Sequence, residues 1–263
     1  MSGDVLKIAD LDAPQREALT RLILTLADSK RLLGIRYSDW VLGAPSVETG
    51  IAAASMTQDE WGHARLLYAM LKECDLDPGA VEHGRPAEEY ASVDVLDDPF
   101  ADWAAVVAGM VLVDGAISVA LRAFAEGRCE PARTRVPKML AEEEFHVSLG
   151  VAWYRRLTEA GGEALDRLQL ATNSMLPCLL AWLGAHDEAA SVLAAEGVTA
   201  PAAEQVASFR DGVRDLLSAA GVDVDAATPA ENFDSARGRG PGHPDADSVE
   251  RARGDRNRTL LVE

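Results

Sequence analysis

Two copies of the motif Glu-x-x-His constrain this chain more than any other feature. They pair Glu60 with His63 and Glu143 with His146, and each lies in a strongly helical stretch. A spacing of three residues places a carboxylate and an imidazole on one face of a helix, one turn apart. Two such helices facing each other, each beside a helix with one further acid, form the ligand shell of carboxylate-bridged di-iron or di-manganese bundles. The repeated motif therefore predicts a four-helix bundle with a polar centre.

Helical periodicity dominates the rest of the chain, and Pro and Gly residues separate the helices. Apolar residues make up 48% of the 263 residues and aromatic residues only 5%, a balance that favours helix over sheet. The predicted helices cover, in chain order, residues 14–40, 46–73, 99–126, 131–160, 162–185, 187–196 and 202–220.

The lengths of the connections predict the topology. The first and third connections are short, whereas residues 75–98 form a long acidic crossover. This order is typical of a ferritin-like bundle with one crossover. We therefore predict an all-α fold, a ferritin-like four-helix bundle with one long crossover and additional C-terminal helices. Residues 1–225 are expected to form this domain, and the Gly- and Pro-rich residues 226–263 an irregular C-terminal tail.

Charged residues on the predicted inner faces of the second, third and fourth helices are confined to the two motifs and Asp114. A buried carboxylate is costly unless it is paired or bound to a cation. Three carboxylates and two imidazoles at one level therefore need compensating positive charge, and a metal ion is its simplest source. The candidate metal ligands are Glu60, His63, Asp114, Glu143 and His146.

The first helix departs from the metal-site pattern because Lys30 occupies the position expected for a fourth acid. Asp28 is nearby, but at about 100° per residue it lies roughly 200° around the helix from Lys30. The apolar stripe favours Lys30, whereas the interval from Asp28 to Glu60 also suits the ligand spacing of such bundles. Three states stay open: a salt-bridged pseudo-site without metal, one divalent ion, or two ions beside a neutral Lys30 that ligates or relays protons.

The net charge of −18 argues against nucleic acid and anionic membranes as partners. We expect no membrane span, because charges interrupt the longest apolar runs, and no signal peptide, because the N-terminus is acidic. Cys74, Cys129 and Cys178 are odd in number and form no C-x-x-C pair. Thiols of this kind are typical of a reducing cytosol, so a cytoplasmic location is expected.

At these motifs the chain resembles the ferritin-like large subunits of bacterial phenylacetyl-CoA epoxidase. The resemblance covers about residues 15–220 and centres on residues 58–63, 112–116 and 143–146. The family has a catalytic di-iron subunit and a related structural subunit that has lost its ligands. Its metal ligands carry over to the five candidates above, but its first-helix glutamate falls on Lys30. A lysine one turn before the first motif of the catalytic subunit falls on Met56.

Other stretches resemble the structural subunit, namely residues 26–29, 36–40, 44–45 and 186–198. The resemblance therefore implies a subunit of a multicomponent oxygenase that epoxidises the ring of phenylacetyl-CoA in phenylacetate catabolism. Its di-iron site is complete or partly degenerate, with manganese, a single ion or no metal as further states. If the chain is catalytic, Lys30 tunes charge or delivers protons.

The partners implied by the resemblance are a paralogous ferritin-like subunit, a reductase component and an aromatic acyl-CoA, in an oligomeric complex. Two alternatives remain. One is a non-catalytic structural subunit with a salt-bridged pseudo-site at Lys30, and the other is a ferritin-like ferroxidase.

Overall fold

The computed structural model describes residues 5–185, 187–254, 257 and 260, and over this part of the chain the regular structure is helical. The predicted all-α class is confirmed. His186, which belongs to one of the resembling segments, lies outside the described residues. The α-helices are α1 (Ala13–Ser38), α2 (Val47–Met70), α3 (Pro78–Gly84), α4 (Trp103–Glu126), α5 (Glu130–Ala160), α6 (Gly162–Leu183), α7 (Glu188–Ala195), α8 (Ala202–Ala219) and α9 (Ala246–Arg253).

Side-chain caps explain where the bundle helices begin. Asp12 and Gln15 form a reciprocal capping box at α1, in which each side chain accepts from the backbone N–H of the other. Ser46 caps α2 and Asp102 caps α4 in a similar way, each accepting from a backbone N–H three residues on. These bonds satisfy N–H groups that a helix leaves unpaired at its first turn. α5 ends at Gly161, whose φ of 65° suits glycine.

The helices α1, α2, α4 and α5 form the bundle, with α1 packed on α2 and α4 packed on α5. The residues of these helices that share a face with the candidate ligands are buried, as expected from the helical period, except for the partly exposed Trp103, Trp153 and Leu157. The α1 stripe consists of Leu19, Ile23, Leu26, Lys30, Leu33 and Tyr37, all fully buried. α6 and α8 cover the outer side of α4 and α5.

Helix α4 is long and apolar enough to cross a membrane by length and composition, although no such segment was expected from the sequence. In its most apolar window, 83% of the residues are buried inside the protein. A helix that is apolar on all sides is also what the centre of a helical domain requires. Packing of α4 against α5, α6, α8 and α1 provides that setting here.

Asp28 anchors the crossover and points away from the bundle centre. Its carboxylate accepts from Arg85 at 2.5 and 3.0 Å, from the Tyr68 hydroxyl at 2.5 Å and from the Ala91 backbone N–H at 2.8 Å. The crossover also contains α3 and two short 3₁₀ turns, Ala87–Glu89 and Asp94–Leu96. The alternative that placed Asp28 in the centre is therefore wrong, in agreement with its angular separation from Lys30.

Residues 234–253 of the C-terminal tail pack against the crossover and α1. Arg239 is buried and pairs with Asp97, and Arg36 donates to Ser248 at 3.0 Å. The tail was expected to be irregular, but α9 forms within it because Asp245 caps its first turn. The division of the chain at residue 225 stays a prediction.

Candidate functional site

Six side chains selected from the sequence meet at the centre of the bundle. Lys30 comes from α1, Glu60 and His63 from α2, Asp114 from α4, and Glu143 and His146 from α5. Each is at most 2% exposed. The helical period brings them together, because each occupies the polar position of an otherwise apolar stripe.

Lys30 lies at the middle of the three carboxylates. Its Nζ atom is 3.1 Å from Glu60 Oε1, 2.8 Å from Asp114 Oδ1 and 2.5 Å from Glu143 Oε1. Burial disfavours the charge on Lys30, but the three carboxylates outweigh it and hold its pKa well above the ordinary value. All three ammonium protons therefore have carboxylate acceptors, and Lys30 stays charged.

Both imidazoles touch carboxylate oxygens at both ring nitrogens. His63 Nε2 is 2.8 Å from Glu142 Oε2. Its Nδ1 is 2.9 Å from Glu143 Oε1, but the two atoms are not aligned for a hydrogen bond. His146 Nε2 is 3.3 Å from Asp59 Oδ2, and its Nδ1 is 3.1 to 3.3 Å from the buried acids. An ionised carboxylate only accepts hydrogen bonds, so a ring with carboxylates on both sides is best satisfied when both nitrogens are protonated.

The pKa values agree with protonated rings. Burial opposes the charge on His146, but hydrogen bonds to Asp114, Glu143 and Glu60 outweigh it and raise its pKa. The pKa of His63 is also raised, because contact with Glu143 outweighs burial. The Lys30 ammonium and the protonated rings thus offset negative charge on the buried carboxylates.

The two buried glutamates, Glu60 and Glu143, differ in the direction in which their pKa values are shifted. Burial raises the pKa of Glu60 to about 7 despite the nearby Lys30. For Glu143, Lys30 and the two imidazoles outweigh burial and hold the pKa well below its ordinary value. Glu60 Oε2 is buried without a hydrogen-bond donor among the described residues, so this oxygen is open to a proton.

Three contributors to the site were missed by sequence reasoning. Tyr37 donates its hydroxyl to Asp114 Oδ2 at 3.2 Å and packs edge-on against His146. Asp59 and Glu142 hold the outer nitrogens of the imidazoles, and each directly precedes the glutamate of a motif. The sequence signal was therefore an acid immediately before each Glu-x-x-His.

The donor set fits one cation, and Lys30 supplies it. One donor atom from each of Glu60, Asp114, Glu143 and His146 lies within 4.8 Å of the other three, which is close enough to hold a metal ion. The Lys30 ammonium already contacts the three carboxylates of this group. Metal binding by a histidine requires an unprotonated nitrogen, whereas both imidazoles here face acids. In this arrangement the residues do not fit a dinuclear metal centre.

Comparison with known proteins gives a family and a curated relative. A family model described as phenylacetic acid catabolic protein matches residues 5–240. The chain is also similar to one of the subunits of the 1,2-phenylacetyl-CoA epoxidase of Escherichia coli K12. The two are 24% identical over 159 residues, which is 60% of this chain and 64% of the relative. The match thus spans less than two thirds of the relative's length.

Proposed function

This chain belongs to the phenylacetic acid catabolic protein family, and from that premise we propose that it is a non-catalytic, structural subunit of a phenylacetyl-CoA epoxidase-type oxygenase. The observation that carries the proposal is the Lys30 ammonium between the three carboxylates. In this role the chain needs no metal, because its own cations balance the centre. The charged cluster instead joins α1, α2, α4 and α5 in one register.

The name of the Escherichia coli relative supports the proposal, since it describes one subunit of an epoxidase and so implies an assembly of several chains. We propose that the partners are a paralogous ferritin-like subunit that carries the chemistry and a reductase that supplies electrons. The substrate class of the complex is an aromatic acyl-CoA, and the location is cytoplasmic. A ferroxidase is disfavoured, because the chain belongs to a catabolic family and its centre holds a lysine.

A catalytic role is the second candidate, and one observation favours it. All five predicted metal ligands are present and buried, and Glu60 Oε2 has no donor among the described residues. If Lys30 left the centre, these side chains would hold iron, which supplies dioxygen activation when bound. Phenylacetyl-CoA epoxidation by this chain requires that rearrangement.

Turnover by the assembled complex separates the two roles. We would combine the chain with its catalytic paralogue and reductase and measure phenylacetyl-CoA epoxidation for wild type and Glu60→Gln. A structural role predicts a loss smaller than about threefold, whereas disturbing a catalytic metal centre typically costs roughly 10- to 100-fold. The yield of assembled complex is measured alongside, and Lys138→Gln on the surface serves as the control.

Iron content gives the second readout. After anaerobic incubation with Fe(II) and desalting, the wild-type chain should retain no stoichiometric iron by elemental analysis. Two irons per chain, together with an oxo-bridge absorption band that develops once air oxidises the iron, would overturn the structural role. A large cage that oxidises iron would instead identify a ferroxidase.

A further inference from the structure

A cavity of about 390 Å³ lies between α6 and the start of α4, and we call it the α6 cavity. None of the six side chains of the central cluster lines it. One wall comes from α6, and the other comes from the end of the crossover and the first turn of α4. Its volume is in the range of sites that hold small organic molecules.

The wall on α6 is one continuous face of that helix. Its residues recur at helical spacing, and they are Arg167, Leu170, Ala171, Ser174, Met175 and Cys178. This face follows α6 for about 16 Å. The opposite wall includes Ala101 and Ala105, whose side chains are too small to close the gap. The cavity therefore follows from small residues on both walls.

The floor of the α6 cavity is apolar and fixed by packing. Met175 and Ala105 are buried, and Phe100 is 7% exposed. The Phe100 ring packs so closely on α4 that a Cβ atom added at Gly109 would lie 2.6 Å from it. Aromatic rings pack favourably against other rings and against a thioether, so this floor suits an aromatic ligand. A preformed floor also lowers the entropic cost of binding.

The polar lining selects the charge of the ligand. Asp94, Asp98 and Asp102 line the cavity, and Arg167 is the basic residue beside them. Arg167 is already paired, because it lies 3.2 Å from Asp102 and 2.6 Å from Glu163. Within the part of the chain that the structure describes, Asp94 and Asp98 form no ion pair. A ligand anion would be repelled by these two carboxylates, whereas a ligand cation would be attracted.

We infer that the α6 cavity binds an aromatic amine in its ammonium form. The aromatic ring contacts Phe100 and Met175 at the floor, and the ammonium group contacts Asp94 and the exposed Asp98. This binding site is separate from the proposed structural role and does not depend on it.

The test uses three probes that share one body and differ in charge: phenylpropylamine, phenylpropanol and phenylpropanoate. Each is titrated into the full-length chain in a calorimeter. We expect the amine to bind with a Kd of about 1 mM or lower and the neutral alcohol to bind roughly fivefold more weakly. The carboxylate should not bind measurably. The Kd of the amine should rise with salt concentration, because its ion pairs lie near the surface.

Three variants at exposed positions locate the ligand. Ser174→Trp fills the cavity and should raise the Kd of the amine about tenfold or more, whereas Asp98→Asn should raise it roughly two- to fivefold. Asp166→Asn is the matched control, since it removes the same charge from α6 at a residue outside the cavity. It should leave Kd unchanged. All three variants should keep the thermal midpoint of wild type in circular dichroism.

The Cys178 thiol gives a second readout, because it lines the cavity while Cys74 and Cys129 are buried elsewhere. Burial and the neighbouring Asp94 raise the pKa of this thiol to about 11. Iodoacetamide should therefore alkylate it slowly enough for mass spectrometry to follow the rate. The amine at about three times its Kd fills about three quarters of the sites and should slow alkylation of Cys178 about fourfold.

Four results would overturn the inference. Equal or tighter binding of phenylpropanoate would show that the acids do not select a cation. No heat and no protection of Cys178 by the amine at about 10 mM would exclude this ligand class. Binding that Ser174→Trp leaves at the level of Asp166→Asn would place the amine elsewhere on the acidic surface. Protection of Cys178 by a basic peptide but not by the amine would make the occupant a protein segment.

Discussion

Replacing Lys30 by Met tests whether an internal ammonium holds the bundle centre together. The substitution keeps most of the side-chain length but leaves Glu60, Asp114 and Glu143 without their shared cation. Removing one partner of a buried ion pair costs roughly 3–5 kcal/mol. For a domain of this size about 2–4 °C is lost per kcal/mol. We therefore expect Lys30→Met to lower the thermal midpoint at pH 7 by roughly 6–20 °C.

The loss should depend on pH in a defined direction. The folded pKa of Lys30 lies above its unfolded value, so its stabilisation is complete at pH 7 and is lost only as strongly alkaline pH approaches the folded pKa. Burial already raises the folded pKa of Glu60 above its unfolded value, and without Lys30 the main opposing cation is gone. That destabilisation vanishes below the unfolded pKa near 4.3 and grows as pH rises. Lys30→Met should therefore lie closer to wild type at pH 5 than at pH 7.

Urea and thermal unfolding followed by circular dichroism at pH 5 and pH 7 measure both effects. Lys138→Met is the control, because the Lys138 side chain is 74% exposed and its ion pair is on the surface. A loss below about 1 kcal/mol for Lys30→Met at pH 7 is what a surface lysine gives and would refute the internal ammonium. The companion variant Lys30→Glu adds a fourth acid and should raise iron occupancy by elemental analysis, whereas unchanged or lower occupancy contradicts the position of Lys30.

Three further predictions concern buried charges. Glu143→Ala removes a partner shared by Lys30 and both imidazoles and should lower the free energy of unfolding by roughly 3–5 kcal/mol; a loss under about 1 kcal/mol would place Glu143 at the surface. The raised folded pKa of His146 gives stability that is complete below about pH 6.5 and declines above it, so wild type should lose up to about 1.4 kcal/mol per pH unit from pH 6.5 to 8.5. His146→Gln should flatten that slope in urea titrations, and an unaltered slope would assign it to another group. Asp28→Ala leaves the Arg85 guanidinium without its carboxylate and should lower the free energy of unfolding in urea by about 3 kcal/mol; a loss under about 1 kcal/mol would show that the crossover does not depend on this pair.

Most of the fold could be predicted from the sequence, because the buried residues of a helix recur along the chain with a regular period. The stripe from Leu19 to Tyr37 favoured Lys30 over Asp28 as the inward residue, and the structure agrees. Predicted helix ends differ by a few residues where caps decide them, as at Asp102, which starts α4 later than the apolar run suggested.

The partners within the site were less accessible, because they depend on how one helix slides along another. Nothing local to His63 specifies that Glu142, 79 residues away, meets its outer nitrogen. The contacts of the tail were inaccessible for a similar reason. Its Gly and Pro content is typical of irregular chain, but long-range pairs of Arg239 and Arg36 hold it in place.

The bond from Arg36 to Ser248 closes a loop of 212 residues, which has a consequence for synthesis on the ribosome. The guanidinium of Arg36 on α1 leaves the exit tunnel 212 residues ahead of its hydroxyl partner. We expect the Arg36 side of α1 to stay exposed to water in the nascent chain until Ser248 has emerged. Ribosome-stalled chains ending before residue 245 should accordingly be cut by protease near the crossover, and release of the full-length chain should protect it.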